Sequence, residues 1–218
     1  MYTFELKDTT VKVTDRTDRQ RPKDFDVSYP DWFAFCDHLK DEMGISVGEK
    51  GATYTLPPGC LSIGFPGNGE ISLDIIVPEQ KRGIAHAVNP SKIYTVPFPR
   101  TKMEIVLVEK LTTSGKHHLA KSIKLFAALD DLGKEKRHLP FPNVYDENTV
   151  CWGSNPYNLP IVGKDFTKVM GYYEVFTSSL FNNDLWRAVG DYDTPTKWFA
   201  YLETQDQFPY SLLNSATR

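Results

Sequence analysis

Cysteine is the residue type in this 218-residue sequence best suited to covalent chemistry, and the surroundings of its three cysteines differ in kind. The thiolate is the nucleophilic form, so a lone cysteine is either a plain core residue or a reactive thiol. Cys36 falls among Trp32, Phe33, Phe35, Leu39 and Met43, apolar residues that recur every three or four positions. That is one face of a helix over 30–43, with Pro30 at its start and Gly44 at its stop, and it makes Cys36 a core thiol. Cys60 stands at a strand edge. Cys151 ends the run Leu139-Pro140-Phe141-Pro142-Asn143-Val144-Tyr145-Asp146-Glu147-Asn148-Thr149-Val150. Prolines, asparagines and Asp146 argue against regular structure there, which places Cys151 at the end of an extended surface loop.

Other candidate constellations are weaker. His117 and His118 are adjacent, so on a strand they point to opposite faces, and no Cys or acidic cluster at ligand spacing accompanies them. Gly64-Phe65-Pro66-Gly67-Asn68-Gly69 is glycine-rich but is followed by no helix pattern and no Lys-Ser/Thr, so it reads as a hairpin turn and not a phosphate cradle. The polar run Thr14 to Lys23 mixes signs, with Asp15 and Asp18 offsetting Arg16, Arg19 and Arg21, as a solvated arm does.

The Cys151 segment resembles the active-site loop of ubiquitin-conjugating enzymes, in which Pro-Asn is followed eight residues after the Asn by a cysteine preceded by Ile or Val. Here those residues are Pro142-Asn143 and Val150-Cys151. It is most similar to a divergent bacterial branch of that superfamily, typified by protein B of the PRTRC plasmid system, through Asn143-Val144-Tyr145 and Val150-Cys151-Trp152-Gly153. The stretch Glu174-Val175-Phe176-Thr177-Ser178-Ser179-Leu180-Phe181-Asn182-Asn183 is also similar. Element order extends the likeness over roughly 55–185.

The resemblance implies a UBC-like fold and a transferase. Cys151 would hold the C-terminal glycine of a ubiquitin-like protein as a thioester, received from a ThiF-type activating enzyme and passed to an amine. Asn143 would donate to the oxyanion or hold the loop, and Phe141, Pro142, Tyr145 and Trp152 would support that loop. Phe141 stands where relatives carry histidine, and Trp152 where they carry an aliphatic residue. His138, Asp146 and Glu147 lie near in sequence, and none is marked as a base. A JAB-type peptidase belongs to the same kind of pathway, which serves plasmid upkeep or antiphage defence. No cofactor or metal is implied. The alternatives are a non-catalytic scaffold of the same fold that binds the modifier or activating enzyme, and a plasmid-maintenance interaction module.

The elements that must position these residues read as one α+β domain. Short β-rich runs over 61–65, 71–77, 84–88 and 92–96 precede a long hairpin, 103–111 and 122–129, with a polar tip. Apolar periodicity returns over 164–180, and Thr194-Pro195 opens a further helix through Trp198, Phe199 and Leu202. The expected layout is therefore an antiparallel β-meander with flanking helices: a strand and polar arm over 1–30, then a single UBC-like catalytic domain over 31–218 with C-terminal helices. Composition is that of a globular protein, 40% hydrophobic and 13% aromatic, and the net charge of −3 argues against nucleic acid as the partner. The N-terminus lacks a signal-peptide core, no apolar run is long enough to span a bilayer, and three cysteines make no disulfide framework; the expected setting is the cytoplasm, away from membranes.

Overall fold

The computed structural model describes residues 2–6, 10–15, 23–28, 54–112, 115–153 and 159–215. The helix expected over 30–43, and Cys36 with it, lies outside the described residues. In chain order the strands are β1 (Tyr2–Leu6), β2 (Thr10–Asp15), β3 (Lys23–Ser28), β4 (Cys60–Gly67), β5 (Glu70–Val77), β6 (Gln80–His86), β7 (Asn89–Phe98), β8 (Thr101–Thr112), β9 (Gly115–Ala128), β10 (Lys136–His138), β11 (Ile161–Val162) and β12 (Leu180–Phe181). The described helices are α1 (Met170–Thr177), entered through a 3-10 turn at Phe166–Val169, and α2 (Pro195–Leu202), with a second 3-10 turn at Tyr210–Ser215. The architecture is mixed α+β, mostly antiparallel strands with few helices.

Period-two alternation builds the main sheet. Ile71, Leu73, Ile75 and Val77 of β5 are buried, and they face Met103, Ile105 and Leu107 of β8 and Ile123, Leu125 and Ala127 of β9. The order is β10-β9-β8-β5-β4, a meander interrupted by the β6–β7 hairpin, which forms its own sheet with β12. Asn68 and Gly69 take φ 54° and 72° and close the β4–β5 hairpin in two residues. Gly64 and Gly67, expected in that turn, belong to β4 instead. The long hairpin also extends further than its pattern suggests: β9 starts at Gly115, so His117 and His118 lie inside the strand, where His118 sits edge-on to Phe166.

The helices share one hydrophobic core with the strands. Phe166, Val169, Tyr172, Tyr173 and Phe176 of α1 and its 3-10 turn, and Trp198, Phe199 and Leu202 of α2, are all buried in it. Burying each such apolar side chain is worth about 1.5–3 kcal/mol. Asp165 caps the first 3-10 turn, its carboxylate accepting from the Thr167 N–H, and Thr194 caps α2, its hydroxyl accepting from the Lys197 N–H. Residues 1–30 differ from the expected strand and arm. There β1, β2 and β3 form an antiparallel sheet, and the pairing of Thr10 with Ser28 through Asp15 with Lys23 leaves only 16–22 between two strands. The reason is visible in Lys23-Asp24-Phe25-Asp26-Val27-Ser28, where period-two alternation outweighs high polarity.

Candidate active site

The loop that ends at Cys151 is a tight hairpin with a buried root, not the extended surface loop expected. The Tyr145 carbonyl accepts from the Asn148 N–H at 2.8 Å, and the Thr149 carbonyl accepts from the Tyr145 N–H at 2.9 Å. Asn148 takes φ 67°, the left-handed position that follows the turn in a three-residue hairpin. Val144 and Val150 bridge above it, and the Cys151 N–H then donates to the Asn143 carbonyl at 2.8 Å. The eight-residue separation of Asn143 and Cys151 is thus the register of this hairpin. Prolines and asparagines are turn and root residues of a small paired structure, which is why their composition mimics an irregular loop.

Two anchors hold the hairpin. Its second arm lies against the outer edge of β9: the Leu125 N–H donates to the Asn148 carbonyl, and the Val150 N–H to the Ile123 carbonyl, both at 3.0 Å. Its root enters the core, where Leu139, Pro140, Phe141, Pro142 and Val144 are all buried. The Phe141 ring stacks on Phe98 at 4.2 Å and lies parallel to Phe199 at 6.0 Å. The Trp198 indole N–H donates to the Pro140 carbonyl at 2.8 Å inside the core. Phe141 therefore braces the loop by packing. At the tip, Asp146 pairs with Arg187 at 2.5 Å, the Arg187 Nε–H donating at 2.9 Å as well.

Asn143 is buried, with φ 63°, and its side-chain N–H points away toward β12, donating to the Leu180 carbonyl at 3.4 Å. That bond joins the root of the hairpin to β12. Cys151 is a half-buried free thiol. Tyr145 lies diagonally across the hairpin from Cys151, and interaction with that thiol, ahead of burial and the Glu147 carboxylate, raises the Tyr145 pKa above its ordinary value. Trp152 sits edge-on to Tyr172 at 6.1 Å. The Tyr172 hydroxyl accepts from the Ala120 N–H and donates to the Leu159 carbonyl, closing the β9 edge where strand pairing lapses between the hairpin and β11.

The His138 pKa is lowered, first by burial and then by the Arg187 guanidinium, against the opposing effects of Asn148 and Asp146. Burial pushes the Cys60 thiol up to about 11, and it donates to the Ser62 carbonyl. Among the described residues no three of His, Cys, Asp and Glu converge to hold a metal ion. Among them, too, no helix is long and apolar enough to cross a membrane.

Phe141, Pro142, Asn143, Tyr145, Cys151 and Trp152 are thus gathered on one hairpin and its flanks. Leu180, Arg187, Tyr172, Trp198 and Phe199 complete the site, and no local pattern in the sequence assigns them to it. Comparison with family models, with curated proteins and with solved structures finds no match for this chain.

Proposed function

We propose that this chain is a thioester carrier of ubiquitin-conjugating type, with a UBC-like fold, working in the bacterial cytoplasm. One observation carries the reading: hairpin register sets the half-buried, free Cys151 thiol opposite Asn143 on a hairpin braced at the edge of the sheet. A carrier needs a nucleophile held rigidly yet open to a protein-sized donor, and a braced hairpin at a sheet edge provides both.

In the first step the Cys151 sulfur attacks the carbonyl of a ubiquitin-like protein's C-terminal glycine, itself held as a thioester on a ThiF-type activating enzyme. A C–S bond forms to Cys151, the bond to the activating enzyme's sulfur breaks, and that thiol leaves. An acceptor amine then attacks the same carbonyl. The C–N bond forms, Cys151 departs as thiolate, and the ammonium proton passes to solvent. A JAB-type peptidase would reverse or prepare such conjugates.

The test incubates the full chain with ATP, a ThiF-type activating enzyme and its ubiquitin-like partner. The expected product is an adduct released by thiol reductant, absent in Cys151→Ala and resistant to reductant in Cys151→Ser. Binding with no adduct from active components overturns the carrier reading and supports a scaffold. Neither binding nor adduct leaves the interaction module as the better account.

A further inference from the structure

We propose that Lys124 is an acceptor amine for the acyl group held on Cys151, so that the chain modifies itself at this lysine; the inference rests on the carrier reading and names an acceptor for it. The second arm of the Cys151 hairpin continues the main sheet beyond β9. Thr149 pairs with Lys124, flanked by the bonds from the Leu125 N–H to the Asn148 carbonyl and from the Val150 N–H to the Ile123 carbonyl. That is a non-hydrogen-bonded antiparallel pair, the kind in which facing side chains stand closest. Ile123, Leu125 and Val150 are buried, whereas Lys124, Thr149 and Cys151, which alternate with them, are half-buried. Alternation thus puts Lys124, Thr149 and Cys151 on the outer face of the sheet. The register makes Lys124 and Cys151 diagonal neighbours there.

Diagonal neighbours have Cα atoms about 7–8 Å apart, a distance that long side chains cross. The flexible four-carbon stem of lysine can bring its nitrogen to an acyl carbon bonded to the sulfur, and no contact with the free thiol is required. The lysines around it are engaged elsewhere. Lys102 pairs with Asp74 at 3.2 Å, Lys121 with Glu70 at 2.5 Å, and Lys136 with Glu104. Glu104, the cross-strand partner of Lys124 on β8, therefore already faces Lys136 and Lys102. Among the described residues Lys124 holds no carboxylate, which leaves its amine to react. In the step itself the neutral amine attacks the thioester carbonyl, the C–N bond forms and the C–S bond breaks. Cys151 departs as thiolate, and the ammonium proton passes to solvent.

A small thioester tests this without any protein partner. The full chain is mixed with the mercaptoethanesulfonate thioester of N-acetylglycine: the Cys151 sulfur attacks the glycyl carbonyl, mercaptoethanesulfonate leaves as thiolate and the thiol proton goes to buffer. Mass spectrometry of proteolytic fragments should find the acyl group first on Cys151, where thiol reductant removes it, and then on Lys124 as an amide that reductant leaves. Lys124 should be acylated about tenfold faster than any other lysine, because the diagonal raises its local concentration at the thioester. The rate should be independent of protein concentration, as transfer within one chain requires. Lys124→Arg, which keeps the charge but not the nucleophile, should prolong the life of the thioester, and in Cys151→Ala the preference for Lys124 should vanish. No acyl group on Cys151, an amide spread evenly over the lysines, equal acylation of Lys124 in Cys151→Ala, or a rate that scales with protein concentration overturns the proposal. Failure is separable from failure of the carrier reading. A Lys124 amide from the small donor with no ubiquitin-like adduct leaves Lys124 its role, and a ubiquitin-like adduct on Cys151 that is equally long-lived in Lys124→Arg removes that role alone.

Discussion

Asn143 works through three different parts of one residue. Its backbone adopts φ 63°, its carbonyl fixes Cys151, and its amide ties the hairpin root to β12. Asparagine tolerates the left-handed region better than other non-glycine residues, and alanine there costs about 1–2 kcal/mol. The amide bond to Leu180 is long, which puts its net worth near the low end of about 0.5–1.5 kcal/mol. Asn143→Gly should therefore lose only the amide bond, and Asn143→Ala should lie about 1 kcal/mol below it in urea unfolding. If the side chain holds the loop, loading and transfer fall together in both variants, and less in Asn143→Gly. A loss confined to transfer, equal in the two, would return the amide to the oxyanion.

At the scale of elements, the hairpin is specified by its turn. Tyr145-Asp146-Glu147 turns the chain, Asn148 takes the left-handed step after it, and β9 accepts the second arm. Asn148→Gly keeps that backbone available and should leave stability within about 0.5 kcal/mol, whereas Asn148→Val, β-branched at φ 67°, should cost at least about 1–2 kcal/mol in denaturant unfolding. Equal stability of the two variants would mean the turn does not depend on this conformation. Signals of this local kind made much of the fold legible in advance: the glycine-rich run 64–69 marked a hairpin, of which Asn68-Gly69 alone forms the turn, Thr194-Pro195 marked the start of α2, and β-rich runs marked β5 and β8. The eight-residue spacing of Asn143 and Cys151 was legible as a motif, although its meaning as hairpin register was not. What escaped were contacts between distant positions. Phe141 stacks on Phe98 and Asn143 reaches Leu180, and nothing within a ten-residue window encodes either pairing. The N-terminal sheet escaped for a different reason, since short polar strands resemble an arm until their partners are known.

For the whole molecule, the seam between the hairpin, β10 and the segment before α2 is where protons act on stability. His138 of β10 faces Asn148 and Asp146 from the hairpin and Arg187 from the segment beyond β12. Burial, reinforced by Arg187, sets its folded pKa below the ordinary histidine value of 6.5, and His118 of β9 is lowered by burial as well. A histidine with a lowered folded pKa binds its proton more readily when the chain is unfolded. Its contribution is thus fully present above about pH 6.5 and is lost as pH falls through the folded value. Asp130, Asp165 and Asp193 have pKa values lowered below 3.8, so their contributions are lost only in a more acidic window. Between pH 7.5 and 5 the histidines therefore dominate. The urea midpoint of the wild type should fall across that interval and fall less in His138→Gln, which carries no titrating ring. Arg187→Gln removes the cation beside His138, raising its folded pKa, and should flatten the profile part of the way. A His138→Gln profile that superimposes on the wild type would show that the seam does not couple the Cys151 hairpin to pH.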